Sequence, residues 1–167
     1  MERVMDATPG EAEAVLVRQL RPEDLEAVIA LDARIVGRRR DDYFRVKLRQ
    51  NLAETGIKIS LAAELDGLFT GFLLARVYYG EFGSMEPIAV LDTLGVHPDF
   101  ARHGVGSALL LQLRKNLRAL HVPLLSTEVD WENQSLLRFF HRQGFRPAPR
   151  LCLDLDLTRP PPEAEAP

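Results

Sequence analysis

The sequence predicts a mixed α+β fold in one domain, a mainly antiparallel sheet flanked by helices in the order β-α-α-β-β-β-α-β-α-β. Three observations predict it. The chain has 167 residues, 46% hydrophobic and 27% charged, which suits a single core. Asp66-Gly67 separates two apolar-rich runs and is typical of a hairpin turn. A Gly-x-Gly segment joins an apolar run to a long amphipathic pattern, which indicates a strand-helix-strand crossover.

The first half of the domain is predicted to hold one strand, two helices and a hairpin. Residues 15–20 form the first strand, and Pro22 with the acids after it opens a helix, because proline and negative charge favour a helix start. A second helix follows over residues 43–54. Alternating apolar residues then predict two strands, 57–65 and 68–79, which pair across the hairpin turn.

The second half is predicted to hold three strands and two helices. Residues 87–96 form an apolar strand, and residues 104–120 form a long helix because their leucines fall on one face. A strand over 124–130 leads into a short helix over 133–143. Residues 151–157 have leucine at every second position and are predicted to form the last strand.

The two ends of the chain differ in composition from the rest. Residues 1–14 and 159–167 lack apolar periodicity and are expected to be disordered tails, which leaves 15–158 as the domain. The net charge is −3, and all of the excess acid lies in these tails, because residues 15–158 carry a net charge of +1. The near-neutral middle argues against nucleic-acid binding, which needs a dense basic face.

Cysteine usage and hydropathy exclude further classes. The single cysteine, Cys152, and four scattered histidines give no metal-ligand spacing, so no metal site is expected. The N-terminus lacks the apolar run of a secretory signal, and no stretch approaches the roughly 18 apolar residues of a membrane span. These observations predict a cytoplasmic protein without a membrane partner.

A glycine-containing turn lies between the predicted fourth strand and the long helix. Gly104 and Gly106 let the backbone approach a ligand closely, and the free N–H groups of a first helical turn favour an anion such as a pyrophosphate. The turn is neither a P-loop nor a dinucleotide fingerprint, because the required lysine and third glycine are missing. The alternative is a helix start that binds nothing, with Arg102 and His103 in a solvated loop.

Two segments carry a family resemblance. Residues 96–110, Val-His-Pro-Asp-Phe-Ala-Arg-His-Gly-Val-Gly-Ser-Ala-Leu-Leu, resemble the acyl-CoA-binding motif of the GCN5-related N-acetyltransferases (GNAT). Residues 128–145 are similar to the Glu-Val-x-x-x-Asn motif ending in Gly-Phe of the ribosomal-protein alanine acetyltransferases. The resemblance implies the GNAT fold over 15–157, acetyl-CoA as co-substrate, and transfer of its acetyl group to a primary amine by direct attack in a ternary complex (EC 2.3.1).

The resemblance also implies which residues hold the co-substrate. They are the backbone groups of Leu94, Gly95 and Val96 on the pantetheine arm, and Arg102, His103, Gly104, Val105, Gly106 and Ser107 around the pyrophosphate. Asn133 and Phe140 are also implied to bind the co-substrate, Asn133 by a hydrogen bond to the CoA arm. The residue type of Asn133 also suits a helix cap. The sequence departs from the family pattern at Ala101, where the family has arginine or glutamine.

Two carboxylates are candidates for the catalytic base, because an amine must lose its proton to attack a thioester. Glu128 aligns with a glutamate that accepts this proton in the resembled subgroup; alternatively it is an exposed acid or an ion-pair partner. Asp92 lies within an apolar strand, so it is either exposed in a cleft or hydrogen-bonded. Phe140 occupies the position of the tyrosine that protonates the leaving thiolate, so another donor serves or CoA leaves as thiolate. The candidate donors are Tyr78, Tyr79, His141 and water.

The residues expected near the acceptor indicate two different kinds of substrate. Tyr43, Tyr78 and Tyr79, together with nearby acids, suit a cationic amine. Three consecutive arginines at 38–40 suit a carboxylate or an acidic peptide, or form a solvated loop. Trp131 is predicted to pack in the core or as a lid rather than to recognise a ligand. The sequence therefore predicts an amine acceptor, on a small molecule or a peptide, without naming it.

Two other functions are compatible with the sequence. A non-catalytic acyl-CoA-binding sensor or scaffold is the main alternative, for which Phe140 and Ala101 are the evidence. A protein that uses the fold only to bind a partner is the other, since fold does not fix function. The resemblance is also compatible with a homodimer.

Overall fold

The computed structural model describes residues 14–53, 56–79 and 85–158. These ranges form one sheet of five strands with helices on both faces. The elements are β1 (Leu16–Gln19), α1 (Leu25–Val36), α2 (Asp41–Leu52), β2 (Leu61–Leu65), β3 (Leu68–Tyr78), β4 (Ile88–Val96), α3 (Val105–Ala119), β5 (Leu124–Ser126) and α4 (Gln134–Arg142), with 3₁₀ turns at Pro22–Asp24 and Pro98–Phe100.

The strands follow one another across the sheet in the order β1-β2-β3-β4-β5. The first four pair antiparallel, and β4 and β5 pair parallel. The hairpin predicted at Asp66-Gly67 is confirmed, and both residues have positive φ, 52° and 76°. Two positive φ angles are what a tight two-residue hairpin turn requires, and aspartate and glycine adopt them at low cost.

The core is divided by the sheet into two layers. Successive residues of β3 point to opposite faces: Phe72 and Leu74 are buried against α1 and α2, whereas Leu73 and Ala75 are buried against α3. Because β3 is apolar on both faces, it is the central strand of the domain. Helices α1, α2 and α3 are amphipathic, and each packs an apolar stripe against this strand or its neighbours.

The structure corrects the predictions at three strands. The strand predicted over 57–65 begins only at Leu61, and the strand predicted over 124–130 ends at Ser126, where β4 and β5 stop pairing. The last predicted strand, 151–157, is not formed, because no strand of the described residues lies beside it to complete a hydrogen-bonded ladder. The predicted element order is therefore confirmed up to α4 and wrong after it.

The predicted tails, 1–14 and 159–167, lie outside the described residues except for Ala14. Every helix in the described ranges is too short or too polar to cross a lipid bilayer.

A partly buried ion pair connects β1 to the turn that precedes α1. The Arg18 guanidinium donates to both carboxylate oxygens of Asp24 at 2.8 Å and, through Nε, to Glu64 on β2 at 2.7 Å. The backbone N–H of Arg21 donates to the same aspartate at 2.8 Å. Although burial disfavours the charged carboxylate, these hydrogen bonds outweigh it and hold the pKa of Asp24 below its ordinary value.

Replacement Asp24→Asn is expected to lower the free energy of unfolding at pH 7 by about 1–3 kcal/mol, because Arg18 loses a partner that is mostly buried. Because the pKa of Asp24 is lower in the folded than in the unfolded protein, its ionised carboxylate stabilises the fold at pH values above the unfolded-state pKa of about 3.9. This stabilisation is lost as the pH falls through the folded-state pKa. Urea unfolding at pH 7 and at pH 3 should therefore show a smaller difference between variant and wild type in acid. Equal stability at pH 7, or a difference that grows in acid, would contradict this account.

Candidate active site

A cleft opens where β4 and β5 diverge. Residues Ile88 to Val90 pair with Leu124 to Ser126, and just beyond them Thr127 donates its hydroxyl to the Leu91 carbonyl at 3.0 Å. After that contact β4 runs on to Val96 with β3 as its only partner among the described strands. The other edge of this half of β4 is therefore open, and its backbone groups face the cleft.

The residues predicted to hold the pantetheine arm lie on that open half of β4. Leu94, Gly95 and Val96 pair with Leu73, Phe72 and Gly71 of β3 and have no strand on the cleft side within the described chain. This is an arrangement in which an extended ligand can bond to free backbone groups as an added strand would.

The start of α3 lies directly after this strand. The turn before the helix has two residues in the left-handed region, Arg102 with φ 69° and Gly104 with φ 79°. The first helical hydrogen bond runs from the Ala108 N–H to the Gly104 carbonyl at 2.9 Å, so the amides of Val105, Gly106 and Ser107 precede the helical ladder. Such amides, together with the helix dipole, make a favourable place for an anion.

Glycine is favoured at the two positions of this turn, 104 and 106, for different structural reasons. Gly104 is required by its positive φ and has nothing near the position of a Cβ atom. Gly106 is favoured by packing, because a Cβ there would make a tight contact of 3.2 Å with the Phe139 ring of α4. Ligand approach, which the sequence predicts for both glycines, is therefore not the only explanation, because in the structure Gly106 also lets α3 and α4 lie close together.

Gly95 is also explained by packing. Phe72 lies opposite it on β3, and a Cβ on residue 95 would lie 2.6 Å from the ring of this buried phenylalanine. We expect Gly95→Ala to lower the free energy of unfolding by about 1–3 kcal/mol through overpacking. The smaller side chain of Phe72→Leu should make room, so the double variant should lose less than the sum of the two single losses. Strict additivity in chemical denaturation would contradict this explanation.

Asn133 and Phe140 have clear structural roles at α4. The Asn133 side chain caps the helix, accepting hydrogen bonds from the Leu136 N–H at 3.1 Å and the Ser135 hydroxyl at 3.0 Å. The Phe140 side chain is 5% exposed, and its ring contacts those of Phe139 and Phe145. The residue at the family's tyrosine position is therefore a core residue of this domain.

Asp92 lies at a β-bulge in β4. The β3–β4 register passes from Leu74 opposite Thr93 to Ala75 opposite Leu91, which leaves Asp92 as the extra residue. Its carboxylate lies 3.3 Å from Arg76 Nη2 of β3 and 3.7 Å from Lys47 Nζ of α2. The acid in the apolar strand is thus compensated by two cations. Sequence reasoning missed both cations, although Arg76 is close to Asp92 in the hairpin register.

Glu128 is the other candidate base, and its side chain is exposed to solvent. It lies two residues beyond β5, at the level where the two strands part. Among the described residues, none forms a hydrogen bond or an ion pair with this side chain. The two candidate bases therefore differ in their surroundings. Asp92 lies beside two cations, and its Oδ2 is buried without a hydrogen bond, whereas Glu128 is exposed and has no partner among the described residues.

The residues predicted to bind the acceptor substrate lie at two places in the structure. Tyr78 and Tyr79 line a cavity of about 360 Å³ together with Arg76, Gln50, Gly56, Ile57 and Val77. Tyr43 lies on α2, where its ring is 4.8 Å from the Arg40 guanidinium and 5.9 Å from Lys47 Nζ. The Lys47 contact connects Tyr43 with the Asp92 cluster, so the two places adjoin.

The arginines at 38–40 do not form one open anion site. Arg40 donates to both oxygens of the buried Asp32, at 2.8 and 2.6 Å, and Arg39 donates to Asp41 and Glu26. These bonds raise the pKa of Arg40, although burial opposes them, and lower the pKa of Asp41. Two of the three arginines therefore serve to fix the α1–α2 connection.

The structure places two other aromatic candidates on the surface. Trp131 is 83% exposed, so it does not pack in the core, and the alternative of a lid stays a prediction. Its neighbours form a local turn in which Asp130 accepts from the Glu132 N–H. His141, a candidate proton donor, lies on the outer face of α4 with Arg138 and Arg142.

Comparison with known proteins now identifies the class. Residues 21–145 match the model of the acetyltransferase (GNAT) family. An aminoglycoside N-acetyltransferase, AAC(6')-Iy, in complex with CoA is similar in structure with a TM-score of 0.74 and 20% identity, over 90% of this chain and 99% of that one. A ribosomal-protein-alanine N-acetyltransferase from Brucella melitensis has a TM-score of 0.68 and 20% identity, over 86% and 100% of the two chains.

A third similar structure is Arabidopsis thaliana Naa50 in complex with the bisubstrate analogue CoA-Ac-MVNAL, with a TM-score of 0.62, 19% identity, and coverage of 79% of this chain and 83% of that one. At these identities the likenesses establish the fold. The family model covers well over half of the sequence, so the chain belongs to the GNAT acetyltransferase family. It is an N-acetyltransferase of class EC 2.3.1 with an acyl-CoA as co-substrate.

Proposed function

We propose that the protein transfers the acetyl group of acetyl-CoA to a primary amine, by direct attack of the amine in a ternary complex. The observation that carries the proposal is the cleft itself, which has an open strand edge and a helix N-terminus on one side and a carboxylate with free oxygens at its rim. Each part matches one requirement of the reaction: to bind a pantetheine chain, to hold a diphosphate, and to remove a proton.

The donor is held by the two backbone surfaces of the cleft. Leu94, Gly95 and Val96 offer the open edge of β4 to the pantetheine amides. The segment from Arg102 to Ser107 surrounds the diphosphate, with the first-turn amides of α3 as donors and Arg102 and His103 as exposed flanking cations or donors. Asn133 caps α4, the helix that follows β5, with its side-chain oxygen, and its side-chain N–H groups are proposed to donate to the CoA arm.

Glu128 is proposed as the base. The ammonium form of the acceptor gives a proton to the Glu128 carboxylate, directly or through water, and the neutral amine then attacks the thioester carbonyl carbon. The new N–C bond forms, the C–S bond breaks, and the second amine proton is released to water. Phe140 is buried and carries no proton, so the sulfur leaves as thiolate or takes a proton from water or from Tyr78 or Tyr79. Asp92, compensated by Lys47 and Arg76, would shape the acceptor side rather than take the proton.

The acceptor is proposed to enter from the side of Tyr43, Tyr78 and Tyr79. The cavity beside the last two opens toward Arg76, whose guanidinium lies 5.2 Å from the Tyr78 ring and is held by Asp92. This surface combines aromatic faces with charges of both signs, which suits an amine that carries further polar groups.

Initial-rate kinetics test the proposal. The protein is incubated with acetyl-CoA and a panel of small amines and peptides, and free thiol and acetylated product are measured together. A ternary complex predicts double-reciprocal lines that intersect when both substrates are varied, whereas an acetyl-enzyme predicts parallel lines. Parallel lines would contradict direct attack. Tight acetyl-CoA binding without turnover on any amine would instead favour the alternative of a non-catalytic acyl-CoA sensor or scaffold.

A further inference from the structure

The Asp92 cluster, which consists of Asp92, Arg76 and Lys47, contains two cations and one carboxylate. Arg76 Nη2 lies 3.3 Å and Lys47 Nζ lies 3.7 Å from the same carboxylate oxygen, Asp92 Oδ2. The three side chains are mostly buried, and that of Arg76, which is 25% exposed, also lines the cavity of about 360 Å³. The formal charge of the cluster is therefore +1. A partly buried charge without a counterion is unfavourable, so the cluster favours a further anion.

The contacts within the Asp92 cluster are looser than those of two other partly buried ion pairs of this protein. Arg18 and Arg40 each donate two hydrogen bonds of 2.6 to 2.8 Å to an aspartate. In the Asp92 cluster, by contrast, Asp92 Oδ2 and Arg76 Nε are buried, and no described residue forms a hydrogen bond with either atom. Buried polar atoms of proteins normally have such a partner. The Asp92 cluster therefore retains hydrogen-bonding capacity that the other two pairs have used.

A single guanidinium can hold two carboxylates in this protein. Arg18 donates through Nε to Glu64 at 2.7 Å and through both Nη atoms to Asp24 at 2.8 Å. Arg76 has one carboxylate neighbour, Asp92, and no other carboxylate of the described residues lies within ion-pair distance of it. The planar fork of an arginine offers five N–H groups, which is enough for two carboxylates. A carboxylate that enters the cavity can therefore become the second partner of Arg76.

The other polar residues of the cavity suit the same ligand. The Tyr78 ring lies 5.2 Å from the Arg76 guanidinium and supports its position by a cation–π contact. Gln50 and Tyr79 line the cavity as well, and their side chains contain an amide N–H and a phenol O–H. Both groups can donate to carboxylate oxygens. No acidic residue of the described chain lines this cavity.

The Asp92 cluster lies at the level of the proposed base. Thr127 donates to the carbonyl of Leu91, and Glu128 and Asp92 are the residues that follow these two on their strands. Arg76 is on β3, the neighbour of β4 on the other side. Neighbouring strands are about 4.8 Å apart, so the backbones of Arg76 and Glu128 are separated by about 10 Å or more. A short ligand with a charged group at each end can span this distance.

We propose that the acceptor is an amino acid whose amine and carboxylate are separated by several carbon atoms. Its carboxylate binds Arg76 in the cavity, and its amine reaches Glu128 and the thioester. This inference rests on the proposed function, because it concerns the acceptor of that reaction. It excludes acceptors that carry only amines, since a second positive charge at Arg76 would be repelled.

Binding without turnover gives the first test. The protein is saturated with CoA, which has no acetyl group to transfer, and titrated calorimetrically with γ-aminobutyrate, ε-aminocaproate and the methyl ester of each. The esters keep the amine and lack the negative charge. At least one of the two acids should bind at least about tenfold more tightly than its ester, as expected for a charge-assisted hydrogen bond. Equal affinities, or no detectable binding of either acid at millimolar concentration, would overturn the proposal.

Substitutions at Arg76 assign the preference to its guanidinium. Arg76→Gln should reduce the ratio of acid to ester affinity to within about twofold of unity, and Arg76→Lys, which keeps the charge without the fork, should retain part of it. The matched control Arg45→Gln removes an exposed arginine of α2 and should keep the whole preference. If Arg76→Gln does not fold, Arg76→Lys alone carries the comparison. A preference that is unchanged in the Arg76 variants would overturn the proposal.

Turnover with acetyl-CoA separates this inference from the proposed function. The acid that binds more tightly should be acetylated with a kcat/KM at least about tenfold above that of its ester. Equal acetylation of acid and ester would leave the proposed function standing and overturn the carboxylate site. Acids that bind through Arg76 while no amine is acetylated would support the carboxylate site and contradict the proposed function.

Discussion

Glu128→Gln is expected to lower kcat for acetyl transfer by about 100- to 1,000-fold while the dissociation constant of acetyl-CoA changes by less than about twofold. The amide keeps the size and hydrogen-bonding shape of the side chain but cannot accept the proton of the amine. Because Glu128 is exposed and has no partner among the described residues, the substitution should leave stability unchanged. Stopped assays of product formation and calorimetric titration with acetyl-CoA measure the two quantities separately.

The pH dependence adds a second signature. Without its base the variant depends on amines that are already neutral in solution, so its activity should approach that of the wild type as pH rises toward the acceptor's own pKa, about 10 for a lysine-like amine. Asp130→Asn, which removes a neighbouring exposed acid, is the matched control and should retain activity within about twofold. An unchanged kcat in Glu128→Gln together with a large loss in Asp92→Asn would assign the base to Asp92 and contradict this account.

Ser107→Asp is expected to weaken acetyl-CoA binding by about 100-fold. Ser107 is exposed in the first turn of α3, where its hydroxyl accepts a hydrogen bond from Gln143 at 2.9 Å. A carboxylate there should be well tolerated by the free protein because negative charge is favourable at a helix N-terminus. The same charge would repel a diphosphate held by the neighbouring amides, and at an effective dielectric of about 20 a repulsion of a few kcal/mol is expected at contact distance.

Ser107→Asn is the matched control for this effect. It adds nearly the same volume without the charge, so it should bind acetyl-CoA within a few-fold of wild type. The difference between the two variants should shrink as salt is raised, since ions screen the repulsion. Equal affinities of the aspartate and asparagine variants would place the diphosphate away from the start of α3.

Local patterns predict most of the fold because they depend on near neighbours in the sequence. The Asp66-Gly67 turn, the leucine stripe of α3 and the Asn133 cap are each determined within one or two turns of chain, and the structure contains all three. The last predicted strand is absent from the described structure because strand formation depends on distant parts of the chain. Residues 151–157 alternate between leucine and other residues as a strand would, but a strand forms only when it is hydrogen-bonded to another strand. The sequence pattern does not show which strand edge these residues would pair with.

The site was predictable where a motif coincides with a backbone requirement, as at Gly104 with its positive φ. It was less predictable where side chains meet across elements. Arg76 and Lys47 come from β3 and α2 to compensate Asp92, and Arg40 crosses to Asp32, contacts that depend on the packing of helices on the sheet. Gly106 combines both situations. Its position in the motif indicates a nearby ligand, and its contact with the Phe139 ring shows that packing between helices also favours glycine there.

The central claim is that this chain binds acetyl-CoA in the cleft between β4 and β5. Thermal unfolding of the purified protein, alone and with acetyl-CoA, CoA or ATP, tests it most directly. A ligand at about 100 times its dissociation constant stabilises by about 2.7 kcal/mol, which raises the midpoint by several degrees for a domain of this size. The account predicts such a rise with both CoA species and little with ATP. No rise with any of the three would contradict it.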